Sequence, residues 1–135
     1  MSDKEIVRVR EVMNTDIDRV DGIMTVADAL RNMKNPHTRA LIVNKRNEDD
    51  EFGMVLLSDM ARHVLAKNRS PERINVYEIM IKPVVTVSPN MDIRYCARLF
   101  DKMQISRTPV VENEDVIGII GYTDIVLKGM CKYCE

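Results

Sequence analysis

Apolar and polar positions follow a pattern that occurs twice along the chain. In the first half, the apolar stretches at residues 40–43 and 52–57 predict two neighbouring strands separated by a polar, acidic turn. In the second half, residues 108–112 and 116–122 predict the same pair of strands, joined by a short turn at residues 113–115. Each half is therefore expected to contribute one strand pair to a buried sheet.

Apolar residues at helical spacing predict a helix ahead of each strand pair. Thr25 and Asp92 stand just before these helices and are the expected N-caps. Short strands are expected at residues 17–20 and 84–87, and closing helices at residues 58–66 and 124–130. The expected apolar helix faces are Val26, Ala29, Leu30 and Met33 in the first half, and Ile93, Cys96, Ala97 and Phe100 in the second.

The two halves are copies of one another. The offset between them is 67 residues at Glu11 and Glu78 and 65 residues at Asp59 and Asp124. A repeat of this kind is one supersecondary unit that buries its apolar face against its twin. We therefore expect an α/β (α+β) fold with a first repeat and its helical lead-in at residues 1–66, a linker at 67–75, a second repeat at 76–130 and a tail at 131–135.

Composition excludes several functional classes. The chain has 135 residues, and its 20 basic and 21 acidic residues leave a net charge of −1, so no nucleic-acid partner is expected. The apolar runs are too short to cross a membrane, and the polar start of the chain lacks the apolar stretch of a signal peptide. Three cysteines do not make a disulfide framework. We expect a cytoplasmic protein that is not inserted into a membrane.

Candidate chemistry recurs where a buried strand gives way to a closing helix. Ser58-Asp59 stands at this junction in the first repeat and Thr123-Asp124 in the second. A hydroxyl there is expected to cap the helix, whose free N–H groups suit an anion. The neighbouring carboxylate only accepts hydrogen bonds, which suits the adjacent hydroxyls of a sugar. Either pair alone would be ordinary capping, but both halves carry one.

Arginine also recurs, since Arg39 and Arg107 each precede the middle strand of their repeat. A guanidinium at this position could reach a phosphate held near the start of the helix. Hydroxyl, carboxylate and guanidinium in both halves therefore favour the phosphate and ribose of a nucleotide over a surface ion pair.

At these residues the chain resembles a tandem pair of cystathionine β-synthase (CBS) domains, also called a Bateman module. The resemblance covers nearly everything from Val9 to Met130. It rests on the lead-ins ending in Met13 and Met80, the helix start at residues 25–29, the segment at residues 107–111, and a glycine five residues before each Ser-Asp or Thr-Asp pair, at Gly53 and Gly118.

The resemblance implies two βαββα units packed through their sheets about a pseudo-twofold axis, with two clefts between the copies. Such modules commonly bind AMP, ADP, ATP or S-adenosylmethionine. The implied roles are a ribose contact for the aspartates, a ribose or phosphate contact for the hydroxyl before each, a phosphate contact for the arginines and an adenine contact for Thr86. The expected ligand-binding residues are Arg39, Ser58, Asp59, Thr86, Arg107, Thr108, Pro109, Thr123 and Asp124.

The two expected sites are not identical. Arg19 stands where the second repeat has Thr86, and Leu41 stands where it has Pro109. A long cation therefore replaces a small hydroxyl in the first repeat. We expect one site to be partly filled, or to prefer a more phosphorylated ligand.

The remaining candidates support other functions less well. Cys131 and Cys134 form a Cys-x-x-Cys tail that could bind a metal or act as a redox switch, although a closed zinc site needs four ligands. His37 and His63 have no partner that would suggest catalysis, so no enzyme and no obligatory cofactor are expected.

Taken together, the sequence predicts a regulatory adenine-nucleotide sensor that forms a homodimer and signals to an effector protein. The apolar face of the second-repeat helix is either a dimer surface or core. The alternative functions are a ligand-free dimerisation scaffold and a metal or redox switch at the tail.

Overall fold

The computed structural model describes residues 5–134, which form two units, each with a core of its own. The central unit is the continuous segment Ile17–Val84. The terminal unit combines residues 5–16 with residues 85–134. Residues 1–4 of the expected first repeat and Glu135 of the expected tail lie outside the described residues.

The lead-ins are exchanged between the repeats. Helix α1 (Val9–Val12) precedes the first repeat in sequence, but it belongs to the unit that contains the strands of the second repeat. The 3₁₀ turn Val76–Glu78 precedes the second repeat and belongs to the central unit. Each unit is therefore completed by a segment that the sequence pattern assigns to the other repeat.

The central unit contains a three-stranded sheet in the order β1-β2-β3. Its elements are β1 (Asp18–Val20), α2 (Val26–Arg31), β2 (Ala40–Val43) and β3 (Gly53–Leu56). Strand β1 is parallel to β2, and the chain between them supplies the crossover that a parallel pair requires, with α2 in it. Strand β3 is antiparallel to β2. The core includes Val26, Ala29, Leu41, Val43, Val55 and Val76.

The terminal unit contains the long helix α4 (Ile93–Met103) and the hairpin of β4 (Arg107–Glu112) and β5 (Asp115–Gly121). Asn113 and Glu114 make the turn with φ angles of 52° and 69°, the left-handed conformation that matches the twist of a two-residue hairpin. The core includes Val9, Val12, Ile93, Cys96, Phe100, Val110 and Ile120.

The closing helices share an unusual form. Helix α3 (Leu57–Met60) continues as a π-helical segment, Ala61–Leu65. Helix α5 (Tyr122–Asp124) continues as a second π-helical segment, Ile125–Gly129, before a final 3₁₀ turn. π-Helical turns are rare in proteins, and those that are found often lie at functional sites. No helix within residues 5–134 is long and apolar enough to cross a membrane.

The expected strand at residues 84–87 is reduced to a single parallel bridge between Val87 and Val110. The Val87 N–H donates to the Pro109 carbonyl at 3.2 Å, and the Val111 N–H donates to the Val87 carbonyl at 3.0 Å. The next rung would need an N–H at position 109, which proline lacks. The equivalent position in the central unit is Ile42, whose N–H allows β1 to form.

Both predicted N-caps are confirmed. The Asp28 N–H donates to Thr25 Oγ1 at 3.1 Å, and the Arg94 N–H donates to Asp92 Oδ1 at 2.9 Å. The α4 face formed by Ile93, Cys96 and Phe100 is buried in the core of the terminal unit, so it is not the dimer surface considered as one alternative. Leu30, expected on the buried face of α2, is instead 45% exposed.

Candidate functional site

Asp59 lies at the junction of β3 and α3 and is only 3% exposed. The Leu56 N–H donates to its Oδ2 at 2.9 Å, so this carboxylate caps the helix from inside the first turn. Arg62 Nη2 lies 2.8 Å from the other oxygen, Oδ1. The Arg62 side chain is 67% exposed, so it covers Oδ1 from the solvent side.

Ser58 and Arg39 lie beside this carboxylate in the backbone. Ser58 is exposed, and the prediction that its hydroxyl caps the helix is wrong, because α3 begins one residue earlier and Asp59 supplies the cap. The Leu57 N–H donates to the Arg39 carbonyl at 3.0 Å, which brings position 39 against the start of α3. Arg39 itself is exposed and adopts a left-handed conformation with φ 59°.

Asp124 occupies the matching junction of β5 and α5 in the terminal unit. The Gly121 N–H donates to its Oδ2 at 2.9 Å, the same distance as in the central unit. Thr123 is exposed, and its hydroxyl does not cap the helix either, because α5 begins at Tyr122. The two aspartates are therefore fixed in the same way, each through Oδ2 to the last residue of a strand.

Two residues that the sequence analysis did not single out complete the surroundings of Asp124. Asn14 Nδ2 lies 3.1 Å from Oδ1 and 3.0 Å from Oδ2. Lys128 Nζ lies 3.2 Å from Asp124 Oδ1 and 3.1 Å from Asn14 Oδ1. The signal for Asn14 was available in the repeat, because the equivalent residue of the second lead-in is the apolar Ile81.

Arg107 is a half-buried residue of β4 and pairs with Gly121 across the hairpin. A Cβ atom at Gly121 would lie only 3.7 Å from the Arg107 guanidinium carbon. The Arg107 side chain therefore packs over the residue whose N–H holds Asp124. The structure brings Arg107, Thr123 and Asp124 together at one end of the hairpin.

Strand register corrects the equivalence of the two arginines. Ala40 pairs with Leu56 in the central unit, and Arg107 pairs with Gly121 in the terminal unit. The residue equivalent to Arg39 is therefore Ser106, whose carbonyl accepts from the Tyr122 N–H at 3.1 Å. By the same register Pro109 is equivalent to Ile42, and the alignment of Leu41 with Pro109 is wrong by one residue.

Thr108 is separated from the other predicted ligand residues of its strand. It pairs with Ile120 and shares the core face of the hairpin with Val110, whereas Arg107 and Pro109 point to the opposite face. Thr108 is 1% exposed, and its hydroxyl is the one buried side-chain oxygen or nitrogen without a hydrogen-bond partner among the described residues. Its structural equivalent, Leu41, is a fully buried core residue.

Thr86 and Arg19 are both exposed. Arg19 lies in β1, while Thr86 lies just before the single bridge made by Val87. The long cation of Arg19 and the small hydroxyl of Thr86 therefore both lie at the surface of their units.

A cleft of about 590 Å³ lies at the other end of the central sheet, where β1 and β2 end. Val43, Tyr77, Lys45 and Lys82 are among its lining residues, and none of the predicted ligand residues lines it. Beside it, the side chains of Arg46 and, to a lesser degree, Lys82 hold the pKa of the Asp50 carboxyl well below its usual range. Lys82 Nζ lies 2.7 Å from Asp50 Oδ1, which fixes the acidic turn.

The cysteines differ in environment. Burial raises the pKa of the Cys96 thiol to about 12. Cys131 and Cys134 are exposed and not disulfide-bonded. Within residues 5–134, no three His, Cys, Asp or Glu side chains are grouped closely enough to hold a metal ion. His37 lies in an exposed turn and His63 in the first π-helical segment.

Comparison with known proteins gives a consistent result. A model of the CBS domain family matches residues 9–66 and again residues 76–129. An uncharacterized protein of Methanocaldococcus jannaschii is 34% identical over 100 residues, and the match covers 74% of this chain and 32% of that protein. The chain thus spans about a third of the length of this curated relative.

Two solved structures share the fold. The hexameric CBS-CP12 protein from bloom-forming cyanobacteria superposes with a TM-score of 0.88 at 37% identity, covering 96% of this chain and 76% of that one. The CBS domain pair of protein MJ0100, in complex with 5′-methylthioadenosine and S-adenosyl-L-methionine, superposes with a TM-score of 0.78 at 22% identity, covering 95% and 99% of the two chains.

Proposed function

The chain belongs to the CBS domain family, as a tandem pair, and from this premise we propose that it is a regulatory module that binds an adenine nucleotide. The observation that carries the proposal is the matched placement of Asp59 and Asp124. Each carboxylate is fixed by one backbone N–H at 2.9 Å to Oδ2, at the end of a strand. An acceptor held in this way is pre-organised for a pair of hydroxyl donors such as those of a ribose.

The other candidate residues fit distinct parts of such a ligand. Ser58 and Thr123 offer exposed hydroxyls beside the carboxylates, for the ribose or a phosphate. Arg39 and Arg107 lie near the same junctions and would neutralise phosphate oxygens. Thr86 would contact the adenine, as the resemblance implies, and Pro109, on the same face of β4 as Arg107, would line the site beside it.

Self-association is part of the proposal. The closing helices expose apolar side chains, with Leu65 76%, Leu127 67% and Met130 55% exposed. Leu127 and Met130 are three residues apart in consecutive helical segments of the terminal unit, and exposed apolar side chains that lie together commonly mark an interaction surface. The hexameric state of the similar CBS-CP12 protein supports assembly through copies of the chain. We propose that a ligand acts by favouring one arrangement of this assembly toward an effector protein.

Thermal melting with AMP, ADP, ATP, adenosine and S-adenosylmethionine tests the proposal. A ligand that binds only the folded state, at a hundred times its Kd, adds about 2.7 kcal/mol to the free energy of unfolding. At least one of these compounds is expected to raise the melting temperature. If none of them raises the melting temperature at millimolar concentration, the alternative function of a ligand-free dimerisation scaffold is favoured.

Substitution of the aspartates then separates binding from helix capping. Asp59→Asn and Asp124→Asn are each expected to weaken the site concerned tenfold or more, about 1.4 kcal/mol. Asp92→Asn is the matched control, because Asp92 caps α4 but lies outside the proposed sites. Because asparagine also caps helices well, the control should lose little stability, chiefly that of the ion pair with Arg94, and no affinity. If all three variants bind the ligand as tightly as the unmodified protein, both aspartates only cap their helices.

A further inference from the structure

The side-chain amide of Asn14 lies against the carboxylate that is proposed to bind ribose in the terminal unit. Its nitrogen is 3.1 Å from Asp124 Oδ1 and 3.0 Å from Oδ2. An amide nitrogen nearly equidistant from both oxygens stands where the two hydroxyls of a ribose diol would donate. Asn14 and such a ligand therefore cannot contact Asp124 in the same way at once.

The backbone holds Asn14 firmly in this position. The Asn14 N–H donates to the Ile119 carbonyl at 2.9 Å, and the Ile119 N–H donates back to the Asn14 carbonyl at 2.9 Å. The approach is so close that a Cβ at Gly118 would lie 2.7 Å from the Asn14 carbonyl oxygen. Lys128 Nζ, 3.1 Å from Asn14 Oδ1, also orients the amide. The amide is thus anchored at both the main chain and the side chain.

The central unit repeats this backbone arrangement with a different side chain. The Ile81 N–H donates to the Met54 carbonyl at 2.8 Å and the Met54 N–H donates to the Ile81 carbonyl at 3.0 Å. A Cβ at Gly53 would lie 3.2 Å from the Ile81 carbonyl oxygen. Ile81 cannot donate a hydrogen bond from its side chain. Beside Asp59 lies Arg62 instead, a largely exposed side chain whose Nη2 is 2.8 Å from Oδ1.

We propose that Asn14 is the residue that makes the two ribose sites unequal, because its amide occupies Asp124 until a diol displaces it. This inference rests on the proposed function and adds a specificity determinant to it. The terminal site then binds a given nucleoside more weakly than it would with Asp124 free. The central site has Ile81 at the matching position and therefore no competing amide, while each carboxylate has a neighbouring cation, Arg62 at Asp59 and Lys128 at Asp124.

Titration of adenosine into variants tests the proposal. With Asp59→Asn in the background to silence the central site, Asn14→Ala is expected to tighten adenosine binding by about threefold to tenfold, the net effect of one typical hydrogen bond lost from the competing state. The analogue 2′,3′-dideoxyadenosine has no diol and should bind both forms equally. Far-ultraviolet circular dichroism and melting curves establish that each variant is folded.

The reciprocal variant gives an independent test. With Asp124→Asn in the background, Ile81→Asn places an amide at the matching position of the central unit and should weaken adenosine binding there by a similar factor. Binding that is unchanged or weaker in Asn14→Ala would overturn the proposal, because it would mean that Asn14 is inert or that it orients Asp124 for the ligand. If the unmodified protein binds adenosine but the substitutions do not change its affinity as expected, the proposed function stands and only this inference fails. Absence of binding in every form would overturn both.

Discussion

Replacing Thr108 by valine is expected to stabilise the ligand-free protein. The Thr108 side chain is 1% exposed, and its hydroxyl has no hydrogen-bond partner among the described residues. A buried polar group left unpaired costs about 1–3 kcal/mol. Valine has nearly the same shape and puts a methyl group into the same apolar core. We expect the free energy of unfolding to rise by about 1–2 kcal/mol.

Thr38→Val is the matched control, since Thr38 is also 1% exposed. Its hydroxyl lies 2.9 Å from the Asn35 carbonyl and 3.1 Å from the Ala40 carbonyl, so it is satisfied. The same substitution there removes a buried hydrogen bond and leaves acceptors without their donor. The free energy of unfolding should fall by about 0.5–2 kcal/mol.

Urea denaturation of the two variants and the unmodified protein measures both effects on one scale. The midpoint should rise for Thr108→Val and fall for Thr38→Val, with the slope m unchanged because the surface exposed on unfolding is the same. A loss of stability in Thr108→Val would refute the reasoning, because it would show that the hydroxyl is satisfied in solution.

Three further outcomes are expected. Leu127→Glu should shift the mass measured by light scattering toward the monomer, because it puts a charge on an exposed apolar helix face; an unchanged mass would assign assembly to another surface. The pKa of Asp50 is depressed, so its stabilising contribution is complete above about pH 4, the unfolded value, and is lost as pH falls through the lower folded value. The difference in melting temperature between the protein and Asp50→Asn should therefore shrink on acidification, and a constant difference would contradict this. Iodoacetamide at pH 8 should modify Cys131 and Cys134 in the folded protein but not Cys96, whose thiol is buried with a pKa of about 12. Mass spectrometry of the digested protein identifies the modified cysteines, and modification of Cys96 would contradict the prediction.

Local patterns predicted the elements whose causes are local. The strand Ala40–Val43 and the caps Thr25 and Asp92 follow from a short apolar run and from polar residues ahead of a helical pattern. The strand expected at residues 84–87 depends on its partner, Pro109, which cannot donate a hydrogen bond. That failure could not be seen in the segment itself.

The candidate site shows the same division. The two aspartates were found because they recur at the end of a strand pair, where repeat and local pattern agree. The equivalence of Arg39 with Arg107 was drawn from residue type, and strand pairing replaces it with Ser106. Asn14 was missed because its role depends on an exchanged lead-in, which places it beside a carboxylate far along the chain.

Because the lead-ins are exchanged, the two units cannot fold in the order in which their first residues are synthesised. The central unit is continuous and ends at Val84, so all of its residues have been synthesised while residues 85–134 are still unmade. Helix α1 is made before the central unit, yet Val9 and Val12 belong to a core whose other members come mostly from residues 87–133. Contacts that join the two ends of a chain form slowly because a long loop must close. We expect residues 9–12 to be synthesised before the central unit and to be buried after it.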